Sequence, residues 1–308
     1  MKTVQKILVL IVVFILTNTY LNARTKNGFD ISNATIDRNQ ILSGGPAKDG
    51  IPSIDNPKFV DIKDVNYLKD DDIVIGVVHK GIKRAYPTRI LVWHEIVNDT
   101  LDDLHVAVTY CPLCGTAMVF DRYIDKQLRS FGVSGLLYQS DVLMYDRQTN
   151  SLWSQLAMES VSGKSVGKKL KWLPSAHLTF KAWRDKYPKS QVLSLNTGYS
   201  RNYSATAYKS YLTSDEVMFP VPKNRDELSN KAWVVGVIID GIAKAYDVTK
   251  LPHNKTIKDK VGNKDILITY DKDKNHPMVM NKHNKEIASV LVYWFAWQAF
   301  YPNTSLYK

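Results

Sequence analysis

Hydrophobic and polar positions alternate in short runs along the chain, a pattern typical of β-strands rather than of long helices. Residues 73–91 and 233–251 each predict a β-hairpin, with an apolar run, a turn that contains glycine and a second strand ending at Ala-Tyr. Residues 131–138 and 142–147 predict further short strands joined by polar turns. The sequence therefore indicates a mainly β protein with short helices.

The two predicted hairpins belong to an internal repeat whose matches keep the same order along the chain. A short aromatic helix that ends at proline also occurs twice, around residues 182–188 and 296–302. The clearest matches pair Gly76, Ala85, Tyr86 and Trp183 with Gly236, Ala245, Tyr246 and Trp297. This order predicts two related β-rich half-units packed with approximate twofold pseudo-symmetry.

The repeat also sets the predicted domain boundaries. Residues 24–67 form an N-terminal extension, 68–227 a first β-rich unit with an insertion, and 228–308 a second copy. Asp271 and Lys274 stand in the second copy where the first has its cysteines. We therefore expect the first unit to carry the chemistry and the second to be a scaffold.

The N-terminus predicts export. Lysines at positions 2 and 6 precede an apolar run over residues 7–16, as in the charged and hydrophobic regions of a secretory signal peptide. The run is shorter than the ~20 residues that span a bilayer. We predict a signal peptide over residues 1–23, a periplasmic or extracellular location and no transmembrane span in the mature chain. An uncleaved N-terminal anchor is the alternative.

Composition and charge exclude several classes of protein. A hydrophobic content of 44% is enough for a packed core and argues against disorder. The formal net charge is +11, yet the lysines are scattered and no zinc finger or basic helix occurs, so no nucleic-acid partner is expected. The chain also lacks the common hydrolase, P-loop, dinucleotide and zinc-protease motifs. Other partners, and whether the chain is an enzyme, stay open.

The only two cysteines, Cys111 and Cys114, lie two residues apart in Cys-Pro-Leu-Cys-Gly. In a thioredoxin-like site this motif opens a helix, whose positive end activates the first thiol. Here Gly115 follows at once, and residues 106–110 and 116–120 read as strands on either side. That context favours a metal-binding knuckle, in which glycine adopts a positive φ and both sulfurs point inward.

A knuckle supplies only two ligands, and metal sites usually need three or four. His94 is the best third candidate, although a buried structural histidine is the alternative and its counterpart His253 favours that reading. Met118 offers a thioether, but its match with Met278 in the thiol-free copy suggests packing. Two thiolates and an imidazole suit copper or zinc, and an open position would permit metal transfer or redox chemistry.

Two further groups of residues are weaker candidates. Glu95 and Asp99 are four positions apart and fit the role of carboxylate partners that orient the His94 ring. The insertion also holds a polar and aromatic cluster that lines either a pocket or an ordinary turn with a surface ion pair. Its members are Asp141, Tyr145, Asp146, Arg147 and Trp153.

These residues predict an extracytoplasmic metal-binding protein, with copper or zinc at Cys111, Cys114 and His94, that carries the metal or performs a small redox step. One alternative is a thiol-disulfide oxidoreductase that uses the cysteine pair. Another is a non-catalytic binding module with the insertion cluster as its ligand site.

The chain resembles a known family of exported proteins, domain-of-unknown-function family 3179. The shared motifs cover residues 50–57, 84–87, 93–99, 110–116, 131–137 and 144–147. The resemblance implies an exported protein whose characteristic motifs include the cysteine pair and His94, and it implies no particular activity.

Overall fold

The computed structural model describes residues 24–205, 208–221 and 225–307, so the predicted signal peptide over 1–23 lies outside the described residues. Short strands dominate this part of the chain. The helices are α1 Thr88–Leu91, α2 Phe180–Lys186, α3 Lys209–Leu212 and α4 Trp294–Phe300, with 3₁₀ turns at Arg38–Gln40 and Ile62–Asp64.

The strands follow in chain order. Those before the cysteine pair, and the strand that ends on it, are β1 Thr25–Lys26, β2 Phe29–Asp30, β3 Ile41–Ser43, β4 Phe59–Asp61, β5 Ile73–His79, β6 Ile82–Pro87, β7 Ile96–Leu101 and β8 Leu104–Cys111. The next are β9 Thr116–Asp121, β10 Tyr123–Ile124, β11 Gln127–Leu128, β12 Phe131–Tyr138, β13 Asp141–Asp146, β14 Leu152–Ser154, β15 Glu159–Ser162, β16 Trp172–Leu173, β17 Ala176–Thr179 and β18 Gln191–Leu193. The last are β19 Trp233–Ile239, β20 Ile242–Asp247, β21 Ile257–Val261, β22 Lys264–Asp271, β23 His276–Asn281, β24 Ser289–Tyr293 and β25 Ser305–Tyr307.

Five sheets form the blades of a five-bladed β-propeller. We call the sheet of strand order β16-β9-β8-β7 the thiol blade, and the sheet of order β15-β14-β13-β12-β3 the insertion blade. The other three have the orders β17-β5-β6-β18-β4, β24-β19-β20-β25 and β21-β22-β23. No helix among the described residues is long and apolar enough to cross a membrane.

The predicted pair of half-units related by a twofold axis is therefore wrong. The insertion supplies four strands, β12 to β15, of a separate blade, which a pairwise repeat does not reveal. Strands of the supposed N-terminal extension also join the blades, since β3 pairs with β12 and β4 pairs with β18. The matched segments lie in blades and do not divide the molecule into halves.

The matched hairpins share one packing contact. Gly76 lies opposite Ala85 in the β5–β6 hairpin, and Gly236 lies opposite Ala245 in the β19–β20 hairpin. A Cβ atom at Gly76 would be 2.0 Å from the Trp183 ring, and one at Gly236 would be 2.3 Å from the ring of Trp297. The repeated glycine is thus required because a tryptophan from a short helix packs directly on the strand.

We expect Gly236→Ala to lower the free energy of unfolding by about 1–3 kcal/mol, because the buried Trp297 ring must move away from the added methyl group. Urea unfolding measures this effect. Ile242→Ala, at a half-exposed position of the same hairpin, is the control and is expected to change stability by about 0.5 kcal/mol or less. Equal stability of Gly236→Ala and the parent protein would contradict the packing role.

Candidate metal site

The cysteine pair lies in the turn between two neighbouring strands of the thiol blade. β8 ends at Cys111 and β9 begins at Thr116, and these two residues are partners in the ladder. Gly115 has a φ of +66°, and a Cβ atom there would lie 2.3 Å from Trp233. The predicted strand-to-strand turn is confirmed, and the helix that would activate a thiolate does not begin here.

Two neighbouring segments hold this turn through its carbonyl groups. The Tyr293 backbone N–H donates to the Cys114 carbonyl oxygen at 2.9 Å. The Tyr211 hydroxyl donates to the carbonyl oxygen of Leu113 at 2.8 Å. The turn is therefore fixed by β24 and α3 as well as by its own blade, which limits how far the sulfurs can move.

The insertion blade supplies a third donor group. Cys111 Sγ, Cys114 Sγ and a carboxylate oxygen of Asp141 all lie within 4.8 Å of one another, and all three residues are buried. Both cysteines are free thiols. Asp141 is the first residue of β13, directly after the β12–β13 hairpin turn. The hairpin thus carries a carboxylate across the blade boundary to the sulfurs.

The hairpin turn itself also contacts the thiols. Gln139 and Ser140 have φ values of +51° and +67°, a conformation that residues other than glycine rarely adopt. The Ser140 carbonyl oxygen accepts a hydrogen bond from the Cys114 thiol at 3.1 Å. Strained backbone of this kind persists where the surroundings enforce it, and such positions cluster at functional sites.

Burial dominates the electrostatics of the site. It raises the pKa of both thiols, most strongly that of Cys114, and raises the pKa of Asp141 to about 7. It also raises the pKa of Glu95 to about 8, with repulsion from Asp141 as the second cause. The charges that raise the pKa of Cys111 are those of Asp141 and Glu95, and those that raise the pKa of Cys114 are those of Cys111 and Asp141. The cluster is therefore short of positive charge.

Only one oxygen of the Asp141 carboxylate is hydrogen-bonded within the described part of the chain. Its Oδ2 accepts a hydrogen bond from the Leu156 backbone N–H at 3.0 Å, whereas the buried Oδ1 has no hydrogen-bond partner in the described part of the chain. Buried acceptors normally have a donor, so an orphaned one calls for an explanation. A cation beside the sulfurs would provide it.

The structure does not bring His94 to this group. Its Nδ1 lies 2.7 Å from the Pro52 carbonyl oxygen, and its Nε2 lies 2.7 Å from the Tyr203 hydroxyl. Because a carbonyl oxygen only accepts, Nδ1 carries the proton and Nε2 accepts from Tyr203. Burial lowers the pKa of this histidine. Both nitrogens are thus occupied, and the side chain that lies beside the two sulfurs is Asp141.

The residues predicted around His94 have other roles. Glu95 is buried, and its pKa is raised by burial and then by the charge of Asp141, with no contribution from the imidazole. Asp99 accepts two hydrogen bonds from Arg84, at 2.7 and 2.8 Å, and one from the Tyr86 hydroxyl at 2.6 Å. Met118 packs in the same buried cluster as the cysteines. None of these three side chains belongs to the donor group.

The rest of the insertion cluster holds the insertion blade together. Asp146 pairs with Arg129 at 3.2 Å and accepts from the Trp153 indole N–H at 2.8 Å. Tyr145 and Arg147 both contact Asp49, which ties the blade to the preceding segment. The interpretation of these four predicted residues as a ligand pocket has no support from these contacts, and Asp141 alone reaches the thiols.

Sequence reasoning missed Ser140 and the pairing of Asp141 with the thiols. One local signal was present. A tight two-residue hairpin turn usually contains glycine or asparagine, but Gln139-Ser140 has neither. A two-residue turn without glycine or asparagine, directly before Asp141, indicates that the surrounding structure constrains the turn backbone.

The corresponding turn of the second copy carries an ion pair. Asp271 and Lys274 replace the cysteines and lie 2.7 Å apart. His253 and Asp273 gather near Asp271, and His253 and Asp273 are exposed. Water solvates exposed acidic side chains, so this group does not need a nearby positive charge as the buried group of Cys111, Cys114 and Asp141 does.

Residues 48–290 match the model of a family described as protein of unknown function, DUF3179. The chain belongs to this family. The matched range includes both cysteines, Asp141, Glu95 and His94. Comparisons with curated proteins and with solved structures found no significant match.

Proposed function

We propose that this protein is an extracytoplasmic metal-binding protein whose ligands are Cys111, Cys114 and Asp141. One observation carries the proposal: three buried acidic donors lie within 4.8 Å of one another, and no basic side chain of the described residues contributes to their pKa shifts. Burying ionised groups without a partner is strongly unfavourable. A metal cation would supply the missing charge and would use the orphaned Asp141 oxygen.

The donor set favours zinc over copper(I). Zinc accepts thiolate and carboxylate ligands together, whereas copper(I) prefers soft sulfur ligands and gains little from a carboxylate. Two thiolates and one carboxylate carry three negative charges, which a divalent ion compensates better than a monovalent one. Three protein ligands also leave one position of a tetrahedral zinc ion open, as in sites that exchange or activate a further ligand.

The redox alternative has weaker support. Thiol-disulfide exchange requires a thiolate, and reactive cysteines have a lowered pKa. Here burial raises the pKa of both thiols, and in the part of the chain that the structure describes no helix N-terminus or basic side chain offsets that effect. A metal ion provides the charge that ionisation of these thiols needs.

Zinc titration with a competing chelator, together with metal analysis of the anaerobically purified protein, tests the proposal. We expect one zinc ion per chain, and a loss of affinity of about a hundredfold or more in Cys111→Ser and Cys114→Ser, since each removes a direct ligand. Asp240→Asn, at an exposed acid remote from the site, is the control for surface charge and is expected to bind normally.

Two results would contradict the proposal. One is a parent protein with reduced thiols that binds no zinc or copper. The other is a Cys111–Cys114 disulfide that forms reversibly with a redox partner while metal has no effect on the protein, which would put thiol-disulfide exchange first.

A further inference from the structure

A small cavity adjoins the metal-binding turn. Its volume is about 60 Å³, and its wall includes Leu113, between the two cysteines, and Val142, directly after Asp141. Toward the surface the wall includes Met218, whose side chain is 52% exposed. The cavity therefore extends from solvent to the two segments that carry the ligands.

One acidic side chain lines this otherwise mostly apolar space. Glu95 is only 7% exposed, and its carboxyl group makes no hydrogen bond or ion pair with the described residues. Buried carboxyl groups are rare unless they have a partner. The backbone at Glu95 has a φ of +58°, and its carbonyl oxygen accepts from the Tyr110 N–H at 2.7 Å, which fixes the residue at the cavity.

The small volume and mostly apolar wall of the cavity determine how the Glu95 carboxylate can interact with a cation. A volume of about 60 Å³ holds roughly four waters, since one water needs about 10–15 Å³. A hydrated divalent ion carries about six waters, so a metal ion that enters must leave part of its hydration shell behind, which is unfavourable among apolar side chains. A carboxylate in the wall replaces part of that lost hydration.

We propose that Glu95 is the uptake ligand of the metal site, binding a divalent cation transiently in this cavity as it moves to and from Cys111, Cys114 and Asp141. This inference rests on the proposed metal-binding function. Glu95 is not a permanent ligand, because it does not belong to the group of donors that lie within 4.8 Å of one another.

Stopped-flow measurements on the mature chain test this role, with zinc as the probe. Association is followed by mixing with zinc, and dissociation by a chase with excess chelator. We expect Glu95→Gln to lower both rate constants about tenfold, because a transient ligand stabilises the path in both directions. Their ratio, the affinity, changes by less than either rate. Glu216→Gln removes an exposed acid near Met218, outside the cavity wall, and is the matched control.

A second variant keeps the carboxylate and narrows the space. Val133→Leu enlarges a cavity-lining side chain and is expected to slow zinc uptake with Glu95 in place. Zinc uptake at the parent rate in Val133→Leu would show that the ion does not pass through this cavity, and would overturn the uptake role even if circular dichroism shows that Glu95→Gln does not fold.

The outcomes separate this inference from the function on which it rests. Rates at the parent value in Glu95→Gln, with zinc binding lost in Cys111→Ser, would overturn the uptake role and leave the metal site intact. A loss of affinity in Glu95→Gln as large as that in Cys111→Ser would make Glu95 a permanent ligand and also overturn it. A parent protein that binds no zinc would overturn both proposals.

Discussion

Zinc affinity is expected to fall by about a hundredfold to a thousandfold for each unit by which the pH is lowered near neutrality. Burial raises the pKa of both thiols, so Cys111 and Cys114 are protonated in the metal-free protein throughout this range. Binding must therefore release two protons. Asp141, with a pKa of about 7, adds a third proton below that pH. Each released proton changes the affinity about tenfold per pH unit.

The logarithm of the affinity should thus rise with a slope of about two above pH 7 and about three below it. Competition with a chelator of known proton affinity measures this slope. Asp141→Asn has no carboxyl group to titrate, so its weaker binding should follow a slope of about two on both sides. A slope near one in the parent protein would mean that only one thiol is a ligand.

The fold was predictable where it depends on neighbouring residues. Both hairpins, at residues 73–91 and 233–251, form as predicted because alternation and a glycine turn are local signals. The arrangement depends on pairings between distant segments, such as β3 with β12 and β17 with β5, which no local pattern encodes. A match between two segments also does not reveal how many blades surround them.

The candidate site likewise has one part that the local sequence predicts and one part that depends on distant segments. The turn from Cys111 to Gly115 follows from its own sequence, because the flanking strands and the glycine determine it. The third donor comes from another blade, and the sequence offers no distance between Asp141 and the thiols. His94, 17 residues before Cys111, was the best histidine candidate in the same unit, but its ring contacts Pro52 and Tyr203 instead. Closeness along the chain therefore did not predict which side chain the packing of the blades brings to the sulfurs.

The last expectation is that Asp141→Asn makes the metal-free protein more stable at pH 8. The pKa of Asp141 is raised from 3.8 to about 7, so between about pH 4 and pH 7 the folded protein keeps a proton that the unfolded chain has lost. At pH 8 the folded protein must hold the buried carboxylate in its charged form. This contribution to stability is complete below about pH 4 and is lost as the pH rises to about 7. Asparagine cannot ionise, and its side-chain oxygen can still accept from the Leu156 N–H.

The expected gain in the free energy of unfolding is on the order of 2–4 kcal/mol at pH 8, from about 1.4 kcal/mol per unit of pKa shift. Near pH 4.5 the gain should be small. Urea unfolding at both pH values, without metal and with reduced thiols, measures it, and Asp240→Asn at an exposed site is the control. A less stable Asp141→Asn at pH 8 would show that hydrogen bonds to the carboxylate outweigh its burial.

Saturating zinc should reverse the order of the two proteins. The parent protein gains about 4 kcal/mol when zinc is a thousandfold above its dissociation constant. Asp141→Asn, which has lost a ligand, gains less at the same zinc concentration. A carboxylate that only supports the fold would not destabilise the metal-free protein and stabilise the zinc-bound one. The crossing of the two stabilities therefore separates a metal ligand from a structural residue at position 141.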